Sequence, residues 1–172
     1  MKRAMKKGFT LVEILIVVII LGILAAIVIP QFTEASQEAR ISNLMTNLQT
    51  VRSQLLLYKT QHQEVYPGKA GGGTVADAST SVFGQQLCQY SDNTGATSAT
   101  PNATHTFGPY LQAVPTNPIS GFNSITVVDD AATAFGAPAA DAGWWLNRVT
   151  GEFRANLTDA KQTADGTAMN KL

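Results

Sequence analysis

The stretch Lys6–Pro30, KKGFTLVEILIVVIILGILAAIVIP, decides how the rest of the chain is organised. Residues 9–29 are apolar apart from Thr10 and Glu13, and 21 residues of α-helix span about 30 Å, the thickness of the hydrocarbon core of a bilayer. Four basic residues lie among the first seven, and a basic flank of this kind stays in the cytoplasm. We therefore expect a single-pass membrane helix over residues 9–30, with the C-terminal part outside.

The membrane segment contains three residues that an ordinary membrane helix avoids. Glu13 places a carboxylate in hydrocarbon, at a cost of about 2.5–3.5 kcal/mol or more at a helix centre, and such residues are usually functional. Gly22 and Pro30 weaken a helix, because glycine adds backbone freedom and proline lacks an N–H. We expect a kink or local melting there; the alternative is that Pro30 simply ends the membrane span.

A second helical pattern follows directly. Residues 31–64 contain no glycine or proline, and apolar residues recur at spacings of 3, 4, 3, 4 and 3, which is typical of one face of a helix. These residues are Ile41, Leu44, Leu48, Val51, Leu55 and Tyr58. We expect residues 31–65 to form the amphipathic half of a long helix that ends before Pro67 and packs on a small domain.

Residues 66–157 are predicted to form that domain. Ser124–Val128 is β-branched, and two strand patterns flank a turn at Thr150–Gly151, with Phe153, Ala155 and Leu157 alternating on one face. The fold class is α+β, a long N-terminal helix packed on a small antiparallel sheet.

Other segments of this domain have weaker patterns. Phe83, Leu87 and Tyr90 predict a short helix, while the polar stretch 93–106 is typical of a loop. The proline-rich stretch 107–121 predicts an ordered loop with Tyr110 and Leu111 turned inward. Residues 158–172 are predicted to be a flexible tail.

Composition excludes several classes of function. The chain has 12 basic and 12 acidic residues in 172, and without its first eight residues the acidic ones are in excess, so no nucleic-acid surface is predicted. The sequence has no catalytic constellation and no phosphate loop, so we expect no enzyme. The lone Cys88 permits no internal disulfide and is expected to pack, and His62 and His105 are expected to be ordinary surface or packing residues.

The N-terminus resembles that of type IV pilins and type II secretion pseudopilins, which carry a class III signal peptide. The resemblance rests on the basic leader ending in Gly8, then Phe9, Thr10, Leu11 and Glu13, the long apolar run, Gly22 and Pro30. It covers Met1 to about Thr33 closely, and the stretches GPYLQAVPTNPISG and TGEFRANL resemble the globular domains of pseudopilins more loosely.

The resemblance implies a sequence of processing and assembly steps. A prepilin peptidase would remove the leader, residues 1–8, between Gly8 and Phe9 and methylate the new amine on Phe9. The subunit would wait in the inner membrane and then, through an assembly platform, join copies of itself and other pilins or pseudopilins. The filament would lie in the periplasm or at the cell surface, serving protein secretion or forming a type IV pilus. Glu13 would pair with the Phe9 amine of a neighbouring copy; the alternative is that it serves only recognition by the peptidase or the translocation machinery.

Two further site predictions concern the globular domain. Asp129, Asp130 and Asp141 are weak candidates for calcium, a cofactor of many major pseudopilins, although their spacing is irregular. Trp144 and Trp145 are adjacent in a predicted strand, so one is expected in the core and the other at an inter-subunit contact; a bulge would turn both inward.

The sequence is also compatible with two other classes of protein. The N-terminus would be only an export signal if the chain were an anchored or exported enzyme or binding protein, but Glu13 interrupts the apolar run and the stretch ILAAIVIP is a poor cleavage site. The second is a minor pilin that captures DNA or a surface, of which DNA capture is disfavoured by the low positive charge after Tyr66.

Overall fold

The protein is described by a computed structural model over residues 8–69, 80–136, 141–158, 161–163 and 165–172. Two compact units are present, Met1–Ala39 and Arg40–Leu172. Helix α1 runs from Leu11 to Gln61 and contains the boundary between them. It therefore begins and ends within a few residues of the predicted limits.

Helix α1 ends in a turn made without glycine. Gln63 and Glu64 have φ values of 53° and 63°, in the left-handed region that side chains rarely adopt. This turn lets the Glu64 N–H donate to the Lys59 carbonyl at 3.0 Å, which satisfies a carbonyl of the last helical turn. Pro67 lies beyond the turn, as the sequence predicts.

The apolar stripe of α1 forms one wall of the core of the second unit. Its five central residues are at most 2% exposed, and Ile41 is partly buried. They are Leu44, Leu48, Val51, Leu55 and Tyr58. Trp144, Leu146 and Phe153 from the sheet belong to the same buried cluster. The predicted packing of this helix face on the sheet is confirmed, and each leucine that leaves water contributes about 1.5–3 kcal/mol.

Three strands form the sheet behind that helix: β3 (Ile125–Val128), β4 (Trp144–Asn147) and β5 (Glu152–Ala155). Strands β4 and β5 pair antiparallel across the predicted Thr150–Gly151 turn, where the Gly151 N–H donates to the Asn147 carbonyl at 2.8 Å. Strand β3 pairs with β4 in parallel, so the sheet is mixed and not purely antiparallel as predicted. Because β3 and β4 run in the same direction, β4 begins at the edge of the sheet where β3 also begins.

A short helix and a two-stranded hairpin lie between α1 and β3 in the sequence. Helix α2 (Thr80–Cys88) buries Phe83 and Leu87, as predicted. The prediction for Tyr90 is wrong, because it begins strand β1 (Tyr90–Ser91), which pairs with β2 (Thr97–Ser98) inside the stretch expected to be a loop. The Asp92 carboxylate makes this hairpin possible, since it accepts the backbone N–H groups of Thr94 and Ala96.

Residues 108–121 form the ordered loop that the prolines predict, with Tyr110 and Leu111 packed against the core. The C-terminal segment differs from the predicted flexible tail. Ala168, Met169 and Asn170 are buried, and the carbonyl of Leu172 accepts a hydrogen bond from Arg52 at 2.5 Å. A lone methionine among small polar residues has no periodic pattern, so the sequence hides this packing.

Candidate functional site

The predicted processing junction lies in exposed chain just before α1. The leader residues 1–7 lie outside the described residues. Phe9 is 84% exposed, and a Cβ added at Gly8 would meet no atom within 4 Å. Packing within this chain therefore does not require glycine at position 8. A need for glycine there would come from another protein that approaches the backbone closely, as a peptidase would.

Thr10 and Glu13 meet at the start of α1 in a reciprocal capping arrangement. Glu13 Oε2 accepts the Thr10 backbone N–H at 2.8 Å and its hydroxyl at 2.7 Å, while the Glu13 N–H donates to Thr10 Oγ1 at 3.2 Å. This is the pattern of threonine followed three residues later by glutamate, which satisfies free N–H groups of a first helical turn. The spacing of Thr10 and Glu13 in the sequence is enough to predict this cap, although the sequence analysis above considered only the charge of Glu13.

The first half of α1 exposes apolar side chains in every direction. All residues from 8 to 40 are exposed, and they include 17 large apolar side chains from Phe9 to Phe32 that the helix itself does not cover. By length and composition this is the one helix among the described residues that is suited to cross a membrane. A helix that is apolar all round needs lipid or other helices around it.

Gly22 and Pro30 lie within α1 without breaking it. The Thr33 hydroxyl donates to the Pro30 carbonyl at 2.7 Å. Because proline has no N–H, it cannot form the helical hydrogen bond to the Ala26 carbonyl. The kink or melting predicted at Gly22 and Pro30 stays a prediction.

The three aspartates considered for calcium have separate surroundings. Asp129 Oδ1 lies 2.5 Å from Nη1 of Arg148, an ion pair whose side chains are only about a tenth exposed. Asp130 accepts the Ala132 N–H and the Thr133 hydroxyl, hydrogen bonds that lower its pKa. Asp141 is exposed. Among the described residues, no group of three or more acidic, histidine or cysteine side chains is placed to hold a metal ion.

Both tryptophans are buried, but on opposite faces of β4. The pairing of Trp144 with Ala155 and of Trp145 with Arg154 continues without a bulge. Trp144 stacks on Phe153 in the core and donates from Nε1 to a backbone carbonyl, whereas Trp145, 5% exposed, is covered edge-on by Phe135 at 5.5 Å. The prediction that the second indole is an inter-subunit contact is therefore wrong, since its own chain covers it.

His62, just after the end of α1, and Cys88, at the end of α2, are both packed residues. His62 is 3% exposed, stacks on Tyr58 at 3.7 Å, and places Nδ1 2.8 Å from the Tyr58 carbonyl and Nε2 2.9 Å from Ser91 Oγ. A carbonyl only accepts, so Nδ1 carries the proton and Ser91 donates to Nε2. Burial lowers the pKa of His62 and raises that of the Cys88 thiol. Both residues pack, as predicted.

Comparison with known proteins identifies the N-terminal site. The model of the prokaryotic N-terminal methylation motif matches residues 3–29. The type IV narrow pilus major component PilA5 of Thermus thermophilus is 35% identical over 81 residues, 44% of this chain and 70% of that protein. The type II secretion system core protein G of Pseudomonas aeruginosa is 38% identical over 72 residues, 42% of this chain and 50% of that protein.

A third relative is the type IV major pilin protein PilE of Neisseria gonorrhoeae, 30% identical over 60% of both chains. No solved structure matches. The chain spans only 50% of the length of the secretion protein G and 60% of that of PilE. It belongs to the family of type IV pilins and type II secretion pseudopilins. Members of this family are structural and not enzymatic, in agreement with the expectation from the sequence.

Proposed function

We propose that this chain is a filament subunit that is cut between Gly8 and Phe9, methylated at Phe9, and polymerised through the first half of α1. The observation that carries the proposal is the exposed apolar helix that begins at Leu11 with a carboxylate in its first turn. The helix is held in the inner membrane before assembly. In the filament, the apolar helices of other copies replace lipid around it.

Glu13 serves assembly in this proposal, and its capping contacts leave it free to do so. Both contacts to Thr10 use Oε2. A carboxylate has two oxygens and about four acceptor positions, so Oε1 remains available for the positive amine that cleavage creates at Phe9 of a neighbouring copy. Because a charge pair in low dielectric is strongly attractive, and either partner alone there is costly, the pair fixes the register of the incoming subunit.

The test compares two variants of the full chain in cells that process and assemble it. Glu13→Leu removes the carboxylate, whereas Glu13→Gln keeps an oxygen that accepts the capping hydrogen bonds but carries no charge. We expect both variants to insert and to be cut after Gly8, as shown by intact mass, and both to enter filaments poorly. Co-expression with the unchanged chain should restore incorporation only in part.

The outcomes separate the two roles of Glu13. If Glu13→Gln assembles normally and Glu13→Leu does not, the cap matters and the charge pair does not. A mature chain that begins after Ala25 or Ala26 would instead show an ordinary export signal and overturn the proposed function. The choice between secretion and a pilus is tested by the genes beside this one, because a retraction ATPase accompanies a retractable pilus.

A further inference from the structure

A groove lies on the second unit between the C-terminal half of α1 and strand β5. Its volume is about 330 Å³, and its floor is formed by the buried side chains of Leu55 and Phe153. Leu56, which is 58% exposed, and Tyr66 complete its apolar walls. The groove thus offers apolar surface to solvent beside β5, the end strand of the three-stranded sheet.

Charged side chains line the same groove, and most of them are positive. Arg52, Arg154 and Lys171 supply three cationic side chains, and Glu152 supplies the one acidic side chain of the lining. Arg52 donates to the carbonyls of Phe153 and Leu172, and Arg154 forms an ion pair with Glu152. Lys171 is exposed and has no ion-pair partner among the described residues. An apolar floor with an excess of cations fits a segment that carries carboxylates.

This chain itself presents such a segment. Glu34 and Glu38 are exposed, lie one turn apart on α1, and form no ion pair within the described part of the chain. Like charges at this spacing repel each other, and a cationic partner relieves that repulsion. Two of the other carboxylates are engaged in ion pairs within the chain, Glu64 with Lys59 and Asp129 with Arg148.

From this charge complementarity we infer that the groove receives the turn of α1 that carries Glu34 and Glu38 from a second copy of this chain. The inference rests on the proposed function, in which α1 helices of successive copies lie side by side. The groove would then add a second contact between subunits, made by residues that follow the membrane segment 9–30 and lie outside the bilayer.

Site-directed crosslinking tests the contact in assembled filaments. In a Cys88→Ser background, the pair Glu38→Cys and Lys171→Cys should give a ladder of disulfide-linked chains after oxidation. The matched control pairs Glu38→Cys with Lys161→Cys, which is also exposed on the C-terminal segment but does not line the groove. A ladder from the first pair alone supports the inference; no ladder, or equal ladders from both pairs, overturns it.

Charge reversal provides an independent readout that leaves the core untouched. Lys171→Glu and Glu38→Lys should each lower filament yield several-fold, the two changes together should restore most of it, and Lys161→Glu should leave it unchanged. Normal yield from Lys171→Glu overturns the groove contact while the filament function stands. Failure of the unchanged chain to form filaments removes the proposed function, and the inference with it.

Discussion

Replacing one buried leucine of α1 tests the packing of helix on sheet. Leu48 is 1% exposed within the core stripe, and truncating a buried leucine to alanine costs about 2–5 kcal/mol through lost burial and the cavity left behind. Leu57 lies nine residues further along the same helix and is 45% exposed, so it is a matched control. A surface change of this kind usually alters stability by at most about 0.5 kcal/mol.

The assay is thermal unfolding of a fragment that begins near Gln31 and lacks the membrane segment. For a domain of this size 1 kcal/mol shifts the Tm by roughly 3 °C, so Leu48→Ala should lower it by about 6–15 °C. Leu57→Ala should lower it by about 1–2 °C or less. Equal, small shifts from both variants would refute the packing and would mean that the stripe faces neighbouring subunits.

Three further predictions concern the second unit. Because burial lowers the pKa of folded His62, the unfolded chain binds more protons below about pH 6.5; the free energy of unfolding should therefore fall as the pH drops through that range, and His62→Gln should flatten the dependence seen by chemical denaturation. Iodide should quench neither indole of the fragment, whereas Phe135→Ala should make Trp145 accessible; quenching before that change would contradict the cover seen here. Gly151→Ala should destabilise by about 1–3 kcal/mol, because φ is +79° and an added Cβ would meet the Tyr66 ring, and an unchanged denaturation midpoint would contradict this.

Most of the features predicted correctly from the sequence depend on the helical spacing of apolar residues. Both halves of α1 follow from the sequence, because an unbroken apolar run and a 3–4 spacing each permit few structures. The hairpin at Gly151 follows equally, since its turn chemistry is local. Local signals of this kind determine the stripe from Leu44 to Tyr58 and its burial.

Long-range contacts explain what the sequence did not predict. No local signal sets the direction of β3 relative to β4, because the connection between them, not the strand, determines it. Trp145 is covered by Phe135, a residue in a segment without a repeating pattern. Met169 is buried although its neighbours are small and polar. These features depend on the tertiary fold as a whole.

In the candidate sites, too, features of a single segment were predictable and features that join several segments were not. The exposed helix and the position of Glu13 could be predicted, because both are properties of one segment. The groove beside β5 could not, since Arg52, Arg154 and Lys171 come from three elements that only the folded chain brings together. Separation in sequence also concealed the ion pair between Asp129 and Arg148, which engages one of the calcium candidates.

The burial of the C-terminal segment bears on how the protein can be labelled. Residues 99–104 are all exposed in the loop after β2, so a short epitope or a dye-bearing cysteine placed there leaves the core intact. A deletion that removes Met169 would uncover core side chains and free Arg52 from one of its two carbonyl partners. Imaging of assembled filaments is therefore better served by a tag within that loop than by one that replaces the end of the chain.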